Sequence, residues 1–348
     1  MRTNKEKYIT IDKFVDKVLY EKKGGYYMNK NPFGKKGDFV TAPNISILFS
    51  EMIALWCVSF WENTNKPKKI NIVELGAGNG EMMFQMIKVF ERFYHFKISC
   101  NYFILEKSQF LEKIQKKKLK NYKVKWLKSL NQIKSGPNIF LANEFFDALP
   151  IKQFIKKKNK WFEKKIKIQN NKKLKLVEKI TNIKYLEEKI GIKLSYNQNF
   201  IEFSPTTYEY LKIISKKIND FEGGMLIIDY GYIEKRMKDT LQSVYKHKFN
   251  NILKNLGKAD ITYSLNFCLI KKITKKLNLK FIGLSNQGNF LKRLGILYRA
   301  EILSKNLNFS KKANIYYRLK RLIDKNFMGE LFKVMFVAKK NIKFKIGF

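Results

Sequence analysis

The sequence predicts an α/β fold in which a mostly parallel, seven-stranded sheet has helices on both faces. Strand-like apolar runs alternate with helical patterns from residue 70 onward, and this alternation is typical of parallel sheets. A glycine-rich turn over residues 76–80 joins the first run to a helical pattern over residues 81–93. The predicted strands are residues 70–75, 101–106, 122–127, 138–143, 224–230, 279–285 and 332–339.

The composition is that of a globular protein with an extreme positive charge. Hydrophobic residues make up 45% of the chain and aromatic residues 15%, while the formal net charge is +42. Such a charge ordinarily indicates nucleic acid or an anionic surface as partner. Only seven of the 71 basic residues are arginines, however, and readers of bases and phosphates favour the bidentate guanidinium. We therefore interpret the charge as a solvated surface and keep a nucleic-acid partner as a disfavoured alternative.

Cysteine and histidine are too scarce for the commonest metal and disulfide sites. The three cysteines are far apart in sequence and the chain has two histidines, so we expect no metal, no disulfide and a reducing, cytoplasmic location. The first 20 residues lack an apolar signal region and are too acidic for a transit peptide. Residues 45–61 are the most apolar stretch, but they contain serines and a glutamate, which favours a buried helix over a membrane span.

The predicted organisation is one main domain with flanking segments. Residues 1–65 form an N-terminal helical and loop segment that packs on the core, with an amphipathic helix over residues 7–22. The main domain covers residues 66–338. Within the main domain, residues 151–200 are a Lys-rich insertion with a hairpin around residues 157–177, and residues 288–330 are a helical insertion. Residues 339–348 are predicted to form a frayed tail.

The spacing of the glycines predicts the cofactor. Gly76, Gly78 and Gly80 follow a Gly-x-Gly-x-Gly pattern, and glycines let the backbone adopt positive φ and pass close to a ligand. A dinucleotide fingerprint has its third glycine one residue later, which disfavours a nicotinamide dehydrogenase. With Glu74 at the strand end, the pattern is that of an S-adenosylmethionine (SAM) loop. Glu106, after the second strand, suits a carboxylate that holds two ribose hydroxyls. The simpler alternative is a tight strand-to-helix turn without a ligand.

The glycine loop is followed by the segments Asn-Glu-Phe-Phe-Asp-Ala-Leu-Pro at 143–150 and Asp-Tyr-Gly-Tyr at 229–232. Together these motifs resemble the MidA-like class I SAM-dependent methyltransferases, a Rossmann-like family. Its eukaryotic members are mitochondrial protein arginine methyltransferases that help to assemble respiratory complex I. The order of the motifs is preserved from about residue 10 to residue 338, and the segments Asn-Glu-Phe-Phe-Asp-Ala-Leu-Pro and Asp-Tyr-Gly-Tyr are specific. This chain departs from the family at Asn44, where a glutamate is usual, and at Ala77, where proline is common. The matching stretches are residues 37–43, 73–80, 142–150, 227–232, 239–242, 257–262, 287–291 and 328–334.

The resemblance implies the residues that bind SAM. The three glycines would approach the methionine part of the cofactor and Glu106 would hold the ribose. Glu74 would brace the loop or meet the amino group of SAM. Ala77 and Asn143 complete the predicted cofactor-binding set.

An arginine substrate requires carboxylates, because its guanidinium stays positively charged at physiological pH. Carboxylates fix the planar guanidinium by charge-assisted hydrogen bonds. Glu144 and Asp147, at the end of the fourth strand, would share one face of a helical turn, and together with Asp38 they are the predicted catalytic residues. Asp147 could instead cap the next turn. Asp229 and Tyr230 are predicted to bind substrate, although the aspartate could equally tie down its loop through backbone amides.

Together the motifs predict a SAM-dependent protein arginine N-methyltransferase. The resemblance implies that its substrate is a subunit of respiratory complex I (NADH dehydrogenase) or a similar protein partner. Two alternatives remain open. An RNA or DNA methyltransferase would account for the charge and predicts steeply salt-dependent binding. A non-catalytic assembly factor would use the SAM fold to stabilise a partner.

Overall fold

The computed structural model describes residues 7–32, 34, 41–169 and 173–348. The predicted catalytic residue Asp38 lies outside the described residues, as does most of the 37–43 motif. The chain divides into two compact units. The core unit comprises the described residues of Lys30–Phe145 together with Leu211–Gly231 and Thr274–Phe348. The second unit comprises residues 7–29, Phe146–Tyr210 and Tyr232–Ile273.

The strands are numbered in chain order through both units. They are β1 (Lys7–Thr10), β2 (Ile70–Leu75), β3 (Cys100–Leu105), β4 (Val124–Leu127), β5 (Asn138–Asn143), β6 (Lys152–Lys157), β7 (Lys160–Ile168), β8 (Leu174–Ile180), β9 (Phe200–Phe203), β10 (Gly223–Tyr232), β11 (Gln242–Tyr245), β12 (Lys248–Asn250), β13 (Asp260–Thr262), β14 (Leu265–Asn266), β15 (Lys280–Asn286) and β16 (Phe332–Ala338).

The helices are numbered in the same way. They are α1 (Ile11–Tyr20), α2 (Tyr26–Asn29), α3 (Ala42–Ile45), α4 (Ile47–Asn63), α5 (Glu81–Phe90), α6 (Tyr94–Ser99), α7 (Gln109–Lys118), α8 (Ile183–Ile190), α9 (Pro205–Phe221), α10 (Phe267–Lys276), α11 (Gln287–Arg293), α12 (Ile296–Ser304), α13 (Phe309–Ile323) and α14 (Met328–Leu331).

The core unit is built on the predicted seven-stranded sheet. Its strand order is β15-β16-β10-β5-β2-β3-β4, and each strand agrees with its predicted span to within two residues at either end. The pairs from β10 to β4 are parallel, whereas β16 is antiparallel to both of its neighbours. All six residues of β2 are buried, as expected for a strand covered on both faces. From β2 the chain continues to β3 and β4 on one side, and it then crosses back to form β5 on the other side of β2. The boundary between β2 and β5 is therefore a topological switch point, where ligands bind in open α/β sheets.

The apolar stretch predicted as a buried helix forms α4. Ser46 caps this helix by accepting a hydrogen bond from the backbone N–H of Leu48, and α4 packs against α5. Trp56 and Phe60 are fully buried on α4 beside Phe336 of β16. No helix among the described residues combines the length and the apolar character that crossing a bilayer requires.

The prediction that residues 339–348 form a frayed tail was wrong. Phe344 is 5% exposed and its ring packs edge-on against Trp56 and Phe60. The indole N–H of Trp56 donates a hydrogen bond to the carbonyl oxygen of Ile346. The lysines of this segment masked Ile342 and Phe344, which are both buried.

The second unit contains an antiparallel sheet that the alternation pattern did not predict. Its order is β1-β7-β6-β9, with β8 also paired to β7, and the hairpin expected in the Lys-rich insertion corresponds to β7 and β8. The predicted helix over residues 7–22 was partly wrong, because residues 7–10 form β1 and pair with residues 165–168 of β7. Local periodicity cannot reveal this pairing, which depends on residues more than 150 positions away.

Candidate functional site

The glycine loop at the end of β2 has a backbone that requires glycine. Gly76, Gly78 and Gly80 have φ values of 65°, 52° and 77°, in the left-handed region. A Cβ atom on Gly76 would lie 2.8 Å from Cδ2 of Phe145. The N–H of Gly76 donates to the carbonyl oxygen of Leu105, which ties the loop to the end of β3. The loop is therefore held in one conformation immediately before α5.

The loop forms one wall of a pocket at the switch point of the core sheet. Six predicted site residues line this pocket, and they come from β2, the glycine loop and the end of β5. They are Glu74, Gly76, Ala77, Gly78, Asn143 and Glu144. The other lining residues are Thr41, Pro43, Asn44, Asn79, Glu81 and Met82.

Two residues that line the pocket each have a buried oxygen atom that lacks a hydrogen-bond donor among the described residues. The two atoms are Oε2 of Glu74, on β2, and Oδ1 of Asn143, at the end of the adjacent β5. Burial raises the pKa of Glu74 to about 8, although a hydrogen bond from the backbone N–H of Met83 lowers it and the charge of Glu106 raises it slightly further. Buried acceptors without a donor are rare in folded proteins, and a ligand that donates hydrogen bonds would satisfy both.

Glu144 adopts a backbone conformation that is unusual for a residue with a side chain. Its φ is 50°, and strain of this kind is concentrated at functional sites. Its N–H donates to the carbonyl oxygen of Ile228 in β10. Its carboxylate accepts from the N–H of Ala42, at an N–O distance of 3.4 Å, and from the side chain of Asn143 at 3.3 Å. The side chain is half-buried and lies on the pocket wall.

Asn44 and Asn79 link two walls of the pocket, and sequence reasoning assigned neither a role there. Nδ2 of Asn79 donates to Oδ1 of Asn44 at 2.8 Å, and Nδ2 of Asn44 donates to the hydroxyl of Thr41 at 2.8 Å. Asn44 stands where the family pattern has a glutamate. Its amide both donates and accepts here, so this departure is compatible with an ordered pocket. Their sequence signal was position: Asn79 lies inside the 73–80 motif, and Asn44 directly follows the 37–43 motif.

Glu106 lies at the end of β3 and holds its carboxylate in a fixed orientation. One oxygen accepts from the backbone N–H of Ser108 and the other from Nε2 of Gln115, both at 2.8 Å. Burial raises the pKa of Glu106 to about 7, because these hydrogen bonds only partly offset the loss of solvent. Sequence reasoning missed Gln115, whose one signal was an uncharged amide beside three consecutive lysines.

The remaining predicted residues are not among those that line this pocket. Asp229 is fully buried in the core unit and accepts a hydrogen bond from the N–H of Tyr230, which is the arrangement expected for a carboxylate that ties down its own loop. Tyr230 packs edge-on against Phe332. Asp147 belongs to the second unit, where it is buried and its carbonyl oxygen accepts from the N–H of Tyr263. Within the described ranges, no group of three or more metal-ligating side chains is arranged to hold a metal ion.

Comparison with known proteins identifies a family over two thirds of the chain. Residues 52–285 match the family model described as "Putative S-adenosyl-L-methionine-dependent methyltransferase". The chain is 29% identical over 355 residues to protein arginine methyltransferase NDUFAF7, mitochondrial, of Xenopus tropicalis, covering 95% of this chain and 82% of that protein. The human protein of the same name is 28% identical, with coverages of 93% and 78%.

A solved structure shares the fold over almost the whole chain. It is a protein from Burkholderia thailandensis that was crystallised with S-adenosyl-homocysteine. The TM-score is 0.83 at 20% sequence identity, and the match covers 98% of this chain and 90% of that one. At this level of identity the match establishes the fold.

Proposed function

The chain belongs to the family of S-adenosyl-L-methionine-dependent methyltransferases, and on that premise we propose that it methylates an arginine side chain of a protein. The observation that carries this proposal is the carboxylate of Glu144 on the wall of the glycine-loop pocket. Relatives that match nearly the whole chain and are named protein arginine methyltransferases support the same substrate class.

The residues of the core unit fit SAM as the cofactor. The two buried acceptors on Glu74 and Asn143 suit the ammonium group of its methionine part, and the loop from Gly76 to Gly80 leaves room for a close backbone approach. Glu106, whose two oxygens are held by hydrogen bonds, is the proposed acceptor for the ribose hydroxyls. When bound, SAM supplies a methyl group on a positively charged sulfur.

Glu144 suits the task of holding and orienting a guanidinium. A carboxylate fixes the planar group by charge-assisted hydrogen bonds and draws its positive charge away from the attacking nitrogen. SAM would supply the methyl group to that nitrogen, with S-adenosylhomocysteine as the leaving group and one proton passing from the nitrogen to solvent. Asp147 and Asp38 remain predicted catalytic residues, and Asp229 and Tyr230 remain predicted substrate contacts.

The partner and the location are narrower proposals. From the resemblance alone we propose a subunit of respiratory complex I, or a similar protein, as the substrate. The cytoplasmic location stays a prediction from the sequence, and the relatives are named as mitochondrial proteins. An RNA or DNA methyltransferase and a non-catalytic assembly factor remain the alternatives.

SAM binding is expected to strengthen as the pH rises from about 6 to about 8. Glu74 has a pKa of about 8 in the cofactor-free protein, so an ammonium that binds its ionised form must displace a proton. At pH values below that pKa, the affinity for SAM then increases by up to about tenfold for each pH unit. Calorimetric titrations in two buffers of different ionisation enthalpy measure the protons released. We expect Glu74→Gln to bind SAM about 10–100-fold more weakly at pH 8, with a flatter pH profile.

The pH dependence of the stability of the cofactor-free protein is the control for the ionisation of Glu74. The folded pKa of Glu74 lies above its unfolded value of about 4.3, so the unfolded state ionises first as the pH rises. The free energy of unfolding therefore falls between about pH 4.3 and pH 8 and then levels off. Glu74→Gln removes this contribution. Wild-type affinity that does not change with pH would show that Glu74 does not meet the cofactor in its charged form.

A labelling experiment tests the substrate class. The purified protein is incubated with SAM carrying a deuterated methyl group and with an extract of source cells that lack the gene, with and without nuclease treatment. Labelled methylarginine in the hydrolysed protein fraction supports the proposal. Label that is confined to nucleic acid, or to another side chain, would overturn it. Saturable SAM binding without any transfer would instead favour the assembly factor.

A further inference from the structure

Gln115 is a fully buried amide at the junction of three parts of the core unit. It is 0% exposed, although it lies on α7, whose last turn carries Lys116, Lys117 and Lys118. A glutamine amide that is buried without hydrogen bonds destabilises the folded state. The hydrogen-bond partners of Gln115 therefore explain how the fold can bury it.

Both polar atoms of the Gln115 amide make hydrogen bonds. Nε2 donates to Oε2 of Glu106 at 2.8 Å and to the carbonyl oxygen of Gly78 at 2.9 Å. Oε1 accepts from the indole N–H of Trp126 in β4 at 2.9 Å. Because the indole can only donate, it fixes which end of the amide faces the carboxylate. A glutamate at this position would place an acceptor against Glu106.

The absence of a side chain at Gly80 allows Gln115 to pack against the glycine loop. A Cβ atom on Gly80 would lie 3.3 Å from Cγ of Gln115, so glycine at this position allows α7 to approach the loop. One side chain thus connects the carboxylate predicted to hold the ribose with the loop predicted to hold the methionine part of the cofactor.

We propose that Gln115 is a positioning residue that holds the carboxylate of Glu106 in the orientation and charge state required by the ribose hydroxyls of the cofactor. Its hydrogen bond also lowers the pKa of Glu106 against the effect of burial. Without it the carboxyl would be protonated over more of the neutral range, and one oxygen would become a donor. This inference rests on cofactor binding by the family and does not depend on the arginine substrate.

The test compares two ligands that differ at the ribose. Binding of S-adenosylhomocysteine and of its 2′-deoxyribose analogue is measured calorimetrically in the wild-type chain and in Gln115→Met, which keeps the length and the burial of the side chain. We expect the variant to bind S-adenosylhomocysteine about tenfold or more weakly. We expect the deoxy analogue to be affected much less, so the preference for ribose is largely lost. Gln109→Met, at an exposed position of the same helix, is the matched control.

A double-mutant cycle separates positioning from packing. If Gln115 acts through Glu106, Gln115→Met combined with Glu106→Gln loses no more affinity than Glu106→Gln alone. Equal weakening of both ligands, or additive losses in the double variant, would show that Gln115 only supports the fold and would overturn the proposal. Unchanged binding in Gln115→Met would overturn it as well. Because every readout is binding, failure of the arginine proposal leaves these results interpretable.

Discussion

Glu144→Gln is expected to reduce methyl transfer about 100–1,000-fold while SAM affinity stays within a few-fold of the wild type. Glutamine has the same shape, and its carbonyl oxygen can still accept from the N–H of Ala42 and the side chain of Asn143. The pocket is therefore retained while the negative charge is lost. A neutral amide does not compensate the positive charge of a guanidinium. The rate of methyl transfer should therefore fall, while the affinity for SAM is kept.

The measurement pairs two assays on the same protein preparation. Transfer is followed with labelled SAM and the cell extract described above, and SAM binding is followed by calorimetry. Glu62→Gln makes the same change at an exposed position of the core unit and should leave both values unchanged. A Glu144→Gln protein that transfers methyl groups at the wild-type rate would remove Glu144 from the substrate site. Loss of SAM binding would assign Glu144 to the cofactor instead.

Gly76→Val is expected to abolish detectable SAM binding. The residue has a φ of 65°, which a β-branched side chain strongly disfavours, and its Cβ would lie 2.8 Å from the ring of Phe145. Relief requires a shift of the loop backbone or of the Phe145 ring, and either change alters the wall of the pocket. We expect the affinity to fall by more than about 100-fold, because the loop also positions its neighbours Ala77 and Gly78.

Gly295→Val separates backbone strain from damage to the pocket. Gly295 also has a positive φ, of 86°, but a Cβ there meets nothing within 4 Å. Both variants should unfold more easily, by at least about 1–2 kcal/mol in each case. Only Gly76→Val should lose SAM binding at a temperature where both proteins remain folded by circular dichroism. Equal affinity in the two variants would mean that the loop does not contact the cofactor.

The core sheet could be predicted from the sequence because its strands are local and apolar. The strands of the core sheet are short, mainly apolar runs that alternate with helical patterns, and the glycine spacing marks the turn after β2. The pairing of β1 with β7 and the packing of Phe344 could not be predicted. Both depend on partners that are distant along the chain, and both segments are rich in lysine.

The sequence pointed to pocket-lining residues at the strand ends and in the glycine loop, and it did not point to Gln115 or Asn79. Glu74, Asn143 and Glu144 stand out because they end apolar strands that meet at one edge of the sheet. Gln115 and Asn79 lie within helical or loop stretches, where an amide is as common on the surface as inside. Only the fold brings their donors and acceptors within hydrogen-bonding distance.

The position of β16 constrains the order in which the core can assemble. This strand follows β15 in the sequence, yet it lies between β15 and β10 in the sheet. Until residues 332–338 have been synthesised, β10 has an open edge and β15 has no neighbour in the sheet. The parallel strands that carry the glycine loop can pair earlier, so a nascent chain would form its cofactor loop while an apolar edge is still exposed. An unpaired apolar edge of this kind is where chains can aggregate, and pairing with β16 removes it.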